Sequence, residues 1–305
     1  MQVNNKRAPV LLFAYNRLDH LKSTTQKLLL NKLADQSEIF IFSDAPRQNK
    51  DEVKVQEVRS YLRDLSGFKT INIIEREENY GLAKNIIEGV TEIINKYGKV
   101  IVLEDDLITS TNFLCYMNSA LDYYKDRKDI FAISGYSPNL KSLICYENET
   151  YLTYRPSSWG WATWLDQWES IDWDLSDYED FIKDWKSVRA FNRGGIDMTR
   201  MLKHYKEGKN NSWAIRWSYA MYKQGKYAVF AKSSKVQNIG FGSEATHCSN
   251  TNIYETVLDT TSKCDFDFTD EILPNSKIAK EFKFQVSYTN KLIKKSIAFL
   301  KGFKK

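Results

Sequence analysis

The sequence predicts an α/β protein built on a mostly parallel central sheet with helices on both faces, and two observations carry that prediction. Short aliphatic and β-branched runs, apolar on both faces, alternate with longer amphipathic segments along the first 135 residues. The spacers between them are short, with glycine at the boundaries at Gly67, Gly81, Gly98 and Gly135. Composition agrees. A chain of 305 residues, 42% apolar and 27% charged, can bury a sizeable core, which excludes a disordered or collagen-like protein.

Taken in order, the strands are expected at Val10–Tyr15, Ile39–Phe42, Ile71–Ile74, Val100–Leu103 and Ile130–Ile133, and the helices at Leu18–Leu33, Glu52–Leu65, Leu82–Tyr97 and Asn112–Tyr124. The first run follows Lys6 and Arg7 as a secretory leader would. It is too short, lacks a small-residue cleavage site and runs into Asn16-Arg17, so it reads as a buried strand. No apolar run approaches the ~18–20 residues of a membrane-spanning helix. From Tyr136 the pattern loosens into a Trp-rich loop and helix at Trp159–Trp168 and a helix at Ser212–Lys223. Short strands follow near Tyr227–Ala231 and Val236–Asn238, then an irregular stretch to Pro274. No repeat or low-complexity segment interrupts the chain.

Charge and aromatic content are both uneven. Lys291, Lys294, Lys295, Lys301, Lys304 and Lys305 occupy the last 15 residues without an acid, and without them the net +5 becomes −1. A neutral body argues against a nucleic-acid-binding face. Leu292, Ile293, Ile297 and Leu300 recur among these lysines at helical spacing, the pattern of an interfacial helix on anionic lipid. All eight Trp lie between positions 159 and 217, and such rings serve either a core or a platform for the apolar faces of sugars. Cys115, Cys145, Cys248 and Cys264 form no C-x-x-C pair, so reduced thiols in a cytosolic protein are expected.

Ligands of open parallel sheets bind at the carboxyl ends of the strands. Polar groups fall there at Tyr15-Asn16-Arg17, at Ser43-Asp44 and, most sharply, at Glu104-Asp105-Asp106. Three consecutive acids repel one another unless a cation sits among them, and hard divalent ions take carboxylate oxygens. The alternative is a solvated acidic turn. Phosphate-binding G-x-x-x-x-G-K-[ST] and dinucleotide-binding G-x-G-x-x-G loops are absent. The three histidines, His20, His204 and His247, have no zinc spacing.

These residues resemble a family. Ala14-Tyr15-Asn16-Arg17, Asp44, Asn79-x-Gly81 with Asn85 and Gly89, and Glu104-Asp105-Asp106 together look like a GT-A-fold glycosyltransferase. With Trp159–Trp164 and Ile239-Gly240-Phe241-Gly242…Thr246-His247, the chain is most similar to the N-acetylglucosaminyltransferase I type and its bacterial surface-glycan relatives. The resemblance covers residues 9 to 248. It implies a nucleotide-sugar-binding half over 1–135, a Trp-rich acceptor-binding half of the same domain over 136–250, and an extension with the basic tail over 251–305. It further implies Asp106 and His247 at a Mn2+ or Mg2+ ion, and donor contacts from Tyr15, Arg17, Asp44, Asn85, Glu104 and Asp105. Trp159, Trp161 and Trp213 then face the acceptor.

One position departs from the family. Inverting transfer needs a carboxylate to take the acceptor's proton, and the family holds an Asp just after a Trp that opens a helix. Here that segment is Ser212-Trp213-Ala214, and no acid stands at 214. Either another acid serves, the register of this match is off, or the chain is a weak or inactive paralogue; Glu244, in the matched loop, is the first candidate for a substitute base and is counted with Asp105 as catalytic. Asp166 and Glu169 are the other candidates. The reading is a metal-dependent, inverting glycosyltransferase using a UDP-sugar and a glycan or lipid-linked acceptor, placed at the cytoplasmic face of the plasma membrane. Its rivals are a nucleotide-sugar-binding partner subunit that has lost its base, and a sugar nucleotidyltransferase. The latter would carry a glycine-rich loop after the first strand, and residues 14–20 have no glycine.

Overall fold

The computed structural model describes residues 7–240 and 256–285. The predicted alternation is present: β1 (Val10–Ala14), α1 (Leu18–Leu29), β2 (Glu38–Ser43), α2 (Glu52–Arg63), β3 (Thr70–Glu75), α3 (Gly81–Tyr97) and β4 (Lys99–Glu104). Then come β5 (Leu107–Thr109), α4 (Phe113–Tyr124), β6 (Ile130–Ser134), β7 (Thr150–Thr153), β8 (Trp161–Trp164) and α5 (Leu165–Glu169). The remainder is α6 (Tyr178–Lys183), α7 (Trp185–Phe191), α8 (Met198–Lys206), α9 (Trp213–Lys223), β9 (Tyr227–Ala231), β10 (Val236–Asn238) and α10 (Ser276–Gln285).

One eight-stranded sheet runs in the order β3-β2-β1-β4-β8-β6-β9-β7. The pairs β3–β2, β2–β1, β1–β4 and β6–β9 are parallel; β8 lies antiparallel between β4 and β6, and β7 antiparallel on the edge. Alternation along β1 shows how the sheet is covered. Val10 and Leu12 face one way, onto Leu21 and Leu28 of α1 and Val58 and Leu62 of α2. Leu11 and Phe13 face the other, onto Ile86, Val90 and Ile93 of α3. A smaller cluster of Phe181, Phe191, Met198, Leu202 and Tyr219 joins α6 to α9.

The second half differs from expectation in three ways. Trp161 opens a central strand and is 1% exposed, its ring 4.5 Å from Trp217, 5.3 Å from Trp213 and 5.6 Å from Trp168. Trp161 and Trp213 therefore fill the core and form no acceptor platform. The Gly-interrupted stretch does hold a strand, because Gly160 adopts φ +61° immediately before it and turns the chain into the sheet. Cys115 and Cys264 form a disulfide, where reduced thiols were expected.

The stretch from 256 has little regular structure, as expected, yet it is tied down. Glu149 N–H donates to Asp267 O at 3.1 Å, Tyr124 Oη donates to Thr269 O at 2.9 Å, and buried Lys235 pairs with buried Asp259. Glu244, His247 and the lysine-rich tail lie outside the described residues. No helix among the described residues is long and apolar enough to cross a membrane.

Candidate active site

The site assembles where β1, β2 and β4 end. Arg17 follows β1 and sends its guanidinium to Asp105 and, at 3.0 Å, to Asp106. Thr24 of α1 donates to the Asp105 carbonyl at 2.8 Å, and the Tyr15 backbone N–H donates to its carboxylate. The triplet is held from the other side by a two-stranded ribbon in which β10 pairs antiparallel with β5. Ile239 N–H donates to Asp106 O at 2.9 Å, and the backbone of Gly240 lies so close that a Cβ at 240 would land on Asp106 Oδ2. Gly240 is thus required by the carboxylate beside it.

The electrostatics follow from crowding. Burial and the charges of Asp106 and Asp105 push Glu104 up to about 8. Burial also raises Asp105 against the opposing pull of Arg17. Burial disfavours the Arg17 charge, but Asp105 and Asp106 overcome this and keep it firmly protonated. With Glu104 held mostly protonated near neutral pH, Arg17 against Asp105 and Asp106 leaves one negative charge, and a cation placed here would favour ionisation of Glu104 and add a second. Among the described residues no three His, Cys, Asp or Glu side chains form a complete metal cage. A single carboxylate completed by substrate phosphates is how such ions are commonly held beside a diphosphate, so the donor set fits.

Asp44 behaves differently from its sequence role. Its Oδ1 accepts from Ala45 N (3.0 Å) and Tyr80 N (2.9 Å), and its Oδ2 from Gly81 N (2.9 Å) and Asn79 Nδ2 (3.2 Å). Those four donors fill the carboxylate and cap α3, whose first residue Gly81 has φ +66°. Asn85 is buried and accepts from Arg76 Nε at 3.0 Å, so its amide oxygen holds Arg76. Tyr15 and Asn16 both donate to Asp51, at 3.1 and 3.3 Å, fastening the loop after β2 over the end of β1.

Trp159 stays half-buried at the carboxyl end, edge-on to Tyr136 at 4.8 Å. Asp166 and Glu169 do not reach this end. Trp164 pairs with Lys99, and Leu165 N–H donates to Gly98 O at 2.9 Å, so α5 begins at the amino end of β4. That removes both from the candidate bases. Ala214 is the second residue of α9, two residues beyond the Ser212 cap, and packs half-buried against the Trp cluster. Sequence reasoning missed Arg76, Asp51, Thr24 and the β5–β10 ribbon. Arg76 did carry a signal, as a cation at the end of a predicted strand and just before Asn79-x-Gly81.

The GNT-I family model matches residues 1–213, well over half of the chain and including every element of this site up to α9. The chain belongs to the GNT-I family. It is a glycosyltransferase, and its family match supports nucleotide-sugar transfer. No curated protein matches it in sequence. Among solved structures it is similar to the mannosyltransferase PcManGT from Pyrobaculum calidifontis, in complex with GDP-Man and Mn2+, at 13% identity and a TM-score of 0.39 over 72% of this chain and 69% of that one. Mouse xyloside xylosyltransferase 1, apo form, matches at 10% identity and TM-score 0.35 over 70% and 80%. The S. aureus TarS structure matches at 12% and 0.31 over 47% of this chain, which spans 24% of that chain. The family assignment rests on the family match.

Proposed function

We propose that this glycosyltransferase is metal-dependent and inverting, and moves a sugar from a UDP-sugar to a glycan or lipid-linked acceptor in surface-polysaccharide synthesis. The observation that carries the reading is the surplus negative charge of Glu104-Asp105-Asp106 at the end of β4, only partly cancelled by Arg17. Asp106 would hold Mn2+ or Mg2+, which stabilises the charge developing on the leaving diphosphate.

The protein's own groups do the rest. Arg17 leaves Asp106 for the donor, for which a planar guanidinium is suited. Asp105, anchored by Tyr15 N–H and Thr24, meets the sugar or ribose together with Glu104, and the loop capped by Asp44 walls the nucleotide end. Trp159 offers an aromatic face to the acceptor. Glu244 takes the acceptor's proton, and His247 contacts the metal or diphosphate. Attachment to an anionic membrane runs through the lysines of 291–305. A cytoplasmic face was expected from unpaired thiols, and the Cys115–Cys264 bond takes that argument away.

Ala214 favours a second reading, a donor-binding subunit without its base. Steady UDP release from UDP-sugar with Mn2+ and a purified acceptor separates the two. Donor binding with no release above the hydrolysis background would leave only the binding subunit.

A further inference from the structure

Arg17 stands just before α1, and its guanidinium spans two acids at once. One amino group meets Asp105 Oδ1, and the other lies 3.0 Å from Asp106 Oδ2. The two acids differ in what else holds them. Asp105 has the Tyr15 backbone N–H on its carboxylate and Thr24 on its carbonyl, so it stays fixed without Arg17. The Asp106 carboxylate has weaker support: Asn238 Nδ2 reaches Oδ1 only at 3.5 Å, and the Gly240 backbone crowds Oδ2. Among the described residues, Arg17 is the cation on Asp106.

A divalent ion takes a carboxylate oxygen at roughly 2 Å. One held by Asp106 would share that carboxylate with the Arg17 guanidinium, well inside the ~8 Å over which charges act at physiological salt. Two cations so placed repel each other. Arg17 is the one that can yield, because it ends a long, jointed side chain and Asp105 keeps its other amino group. An anion that matches the guanidinium fork would draw the freed amino group away from Asp106, and a diphosphate does so.

We infer that Arg17 is a place-holder for the metal. Without donor it covers Asp106 and keeps the affinity for Mn2+ or Mg2+ low. The nucleotide diphosphate, by taking the amino group that faces Asp106, opens this carboxylate to the ion. Nucleotide and metal therefore strengthen each other's binding by the same factor, whichever enters first. The inference rests on the proposed metal site at Asp106 and adds the residue that makes its filling conditional on the donor.

Mn2+ binding, read from the spin-resonance signal of the free ion with and without UDP or GDP, tests it. The full chain is compared with two neutral variants, Arg17→Gln and Arg17→Met, with Arg17→Lys and with Asp106→Asn; metal-free melting temperatures are read alongside. The parent should bind Mn2+ weakly alone and roughly 5–150-fold more tightly with nucleotide. The neutral variants should bind Mn2+ alone roughly tenfold more tightly than the parent and gain less from nucleotide. Arg17→Lys keeps the charge and should keep Mn2+ alone weak. Removing a residue of merely structural importance would weaken the ion, the opposite sign. If the neutral variants bind Mn2+ alone no more tightly while the parent still gains from nucleotide, the metal site stands and the place-holder is wrong. Tight Mn2+ binding to the parent without nucleotide overturns the place-holder too. If the parent binds Mn2+ under no condition, or Asp106→Asn binds it equally well, the metal site and the inference fail together.

Discussion

Asp106 is where a single atom type decides most. Its carboxylate touches Arg17, lies under the Gly240 backbone and belongs to a triplet with surplus negative charge. Asp106→Asn keeps the shape and removes the charge. Titration calorimetry with UDP-sugar should then lose its Mn2+ dependence, and turnover should fall by at least roughly 100-fold. Mn2+-dependent donor binding equal to the parent's would take the metal away from this residue. Glu104 makes the complementary prediction in pH. Its folded value, raised to about 8 by burial and by Asp106 and Asp105, exceeds that of the unfolded chain, so its stabilising contribution is full at low pH and is lost as pH rises toward 8. The metal-free melting temperature should decline across that window, and Glu104→Gln should flatten the decline. An unchanged slope in Glu104→Gln would assign it to other groups. Residue identity at this site was legible in the sequence because three acids after a strand are conspicuous. The saturation of Asp44 by four donors was not, since three of them, Asn79 Nδ2, Tyr80 N and Gly81 N, lie 35 to 37 residues away.

Among the elements, those that were long and periodic could be read, and those set by distant partners could not. Strands β1 to β4 and helices α1 to α4 lie within a few residues of their expected bounds because β1, β2 and β4 are apolar runs, β3 alternates apolar and polar at the sheet edge, and each helix repeats its apolar residues at helical spacing. The three-residue strand β5 was not legible because it is set by pairing with β10, more than a hundred residues away, whereas β10 itself lies at its expected bounds, Val236–Asn238. Strand β8 looked like a loop because glycine precedes it and tryptophans populate it. Its aromatic content serves packing: Trp161→Ala should cost about 3–5 kcal/mol in denaturant unfolding and reduce donor and acceptor use together. Loss of acceptor use alone, at parental stability, would restore the platform reading. Helix α9 supplies the opposite experiment. Ala214 stands at its start beside buried Trp213, where the family places its base. If the enzyme lacks an effective base, Ala214→Asp should raise transfer by roughly 10²–10⁴-fold, as general-base catalysis does. Where Glu244 already serves, the variant should gain nothing and Glu244→Gln should abolish transfer while donor binding persists. Parental rates in both variants would put the base elsewhere.

Across the whole molecule, the segment from 256 to 275 does what no element boundary predicted: it straps the second half of the sheet to the wall that carries the triplet. Thr256 Oγ1 donates to Ser137 O at 2.7 Å, and Asp259 pairs with Lys235 and accepts from Asn112. The disulfide from Cys264 to Cys115 lies on the same strap and joins positions 149 residues apart. Lys235 leads directly into β10, and β10 leads into the Ile239–Gly240 contact with Asp106. Cutting the disulfide therefore acts on two levels. Closing so long a loop in the unfolded chain is worth about 5 kcal/mol by loop entropy, against the roughly 2–4 kcal/mol typical of disulfides, so Cys115→Ser/Cys264→Ser should unfold at markedly lower denaturant. The apolar packing of Tyr116 on Phe266 and the buried Lys235–Asp259 pair remain to hold the strap. Donor affinity measured well below the new unfolding midpoint should accordingly stay within a few-fold of the parent. A donor affinity that collapses while the protein is still folded would show that the disulfide, and not the ion pair, sets the position of β10 and with it the backbone over Asp106.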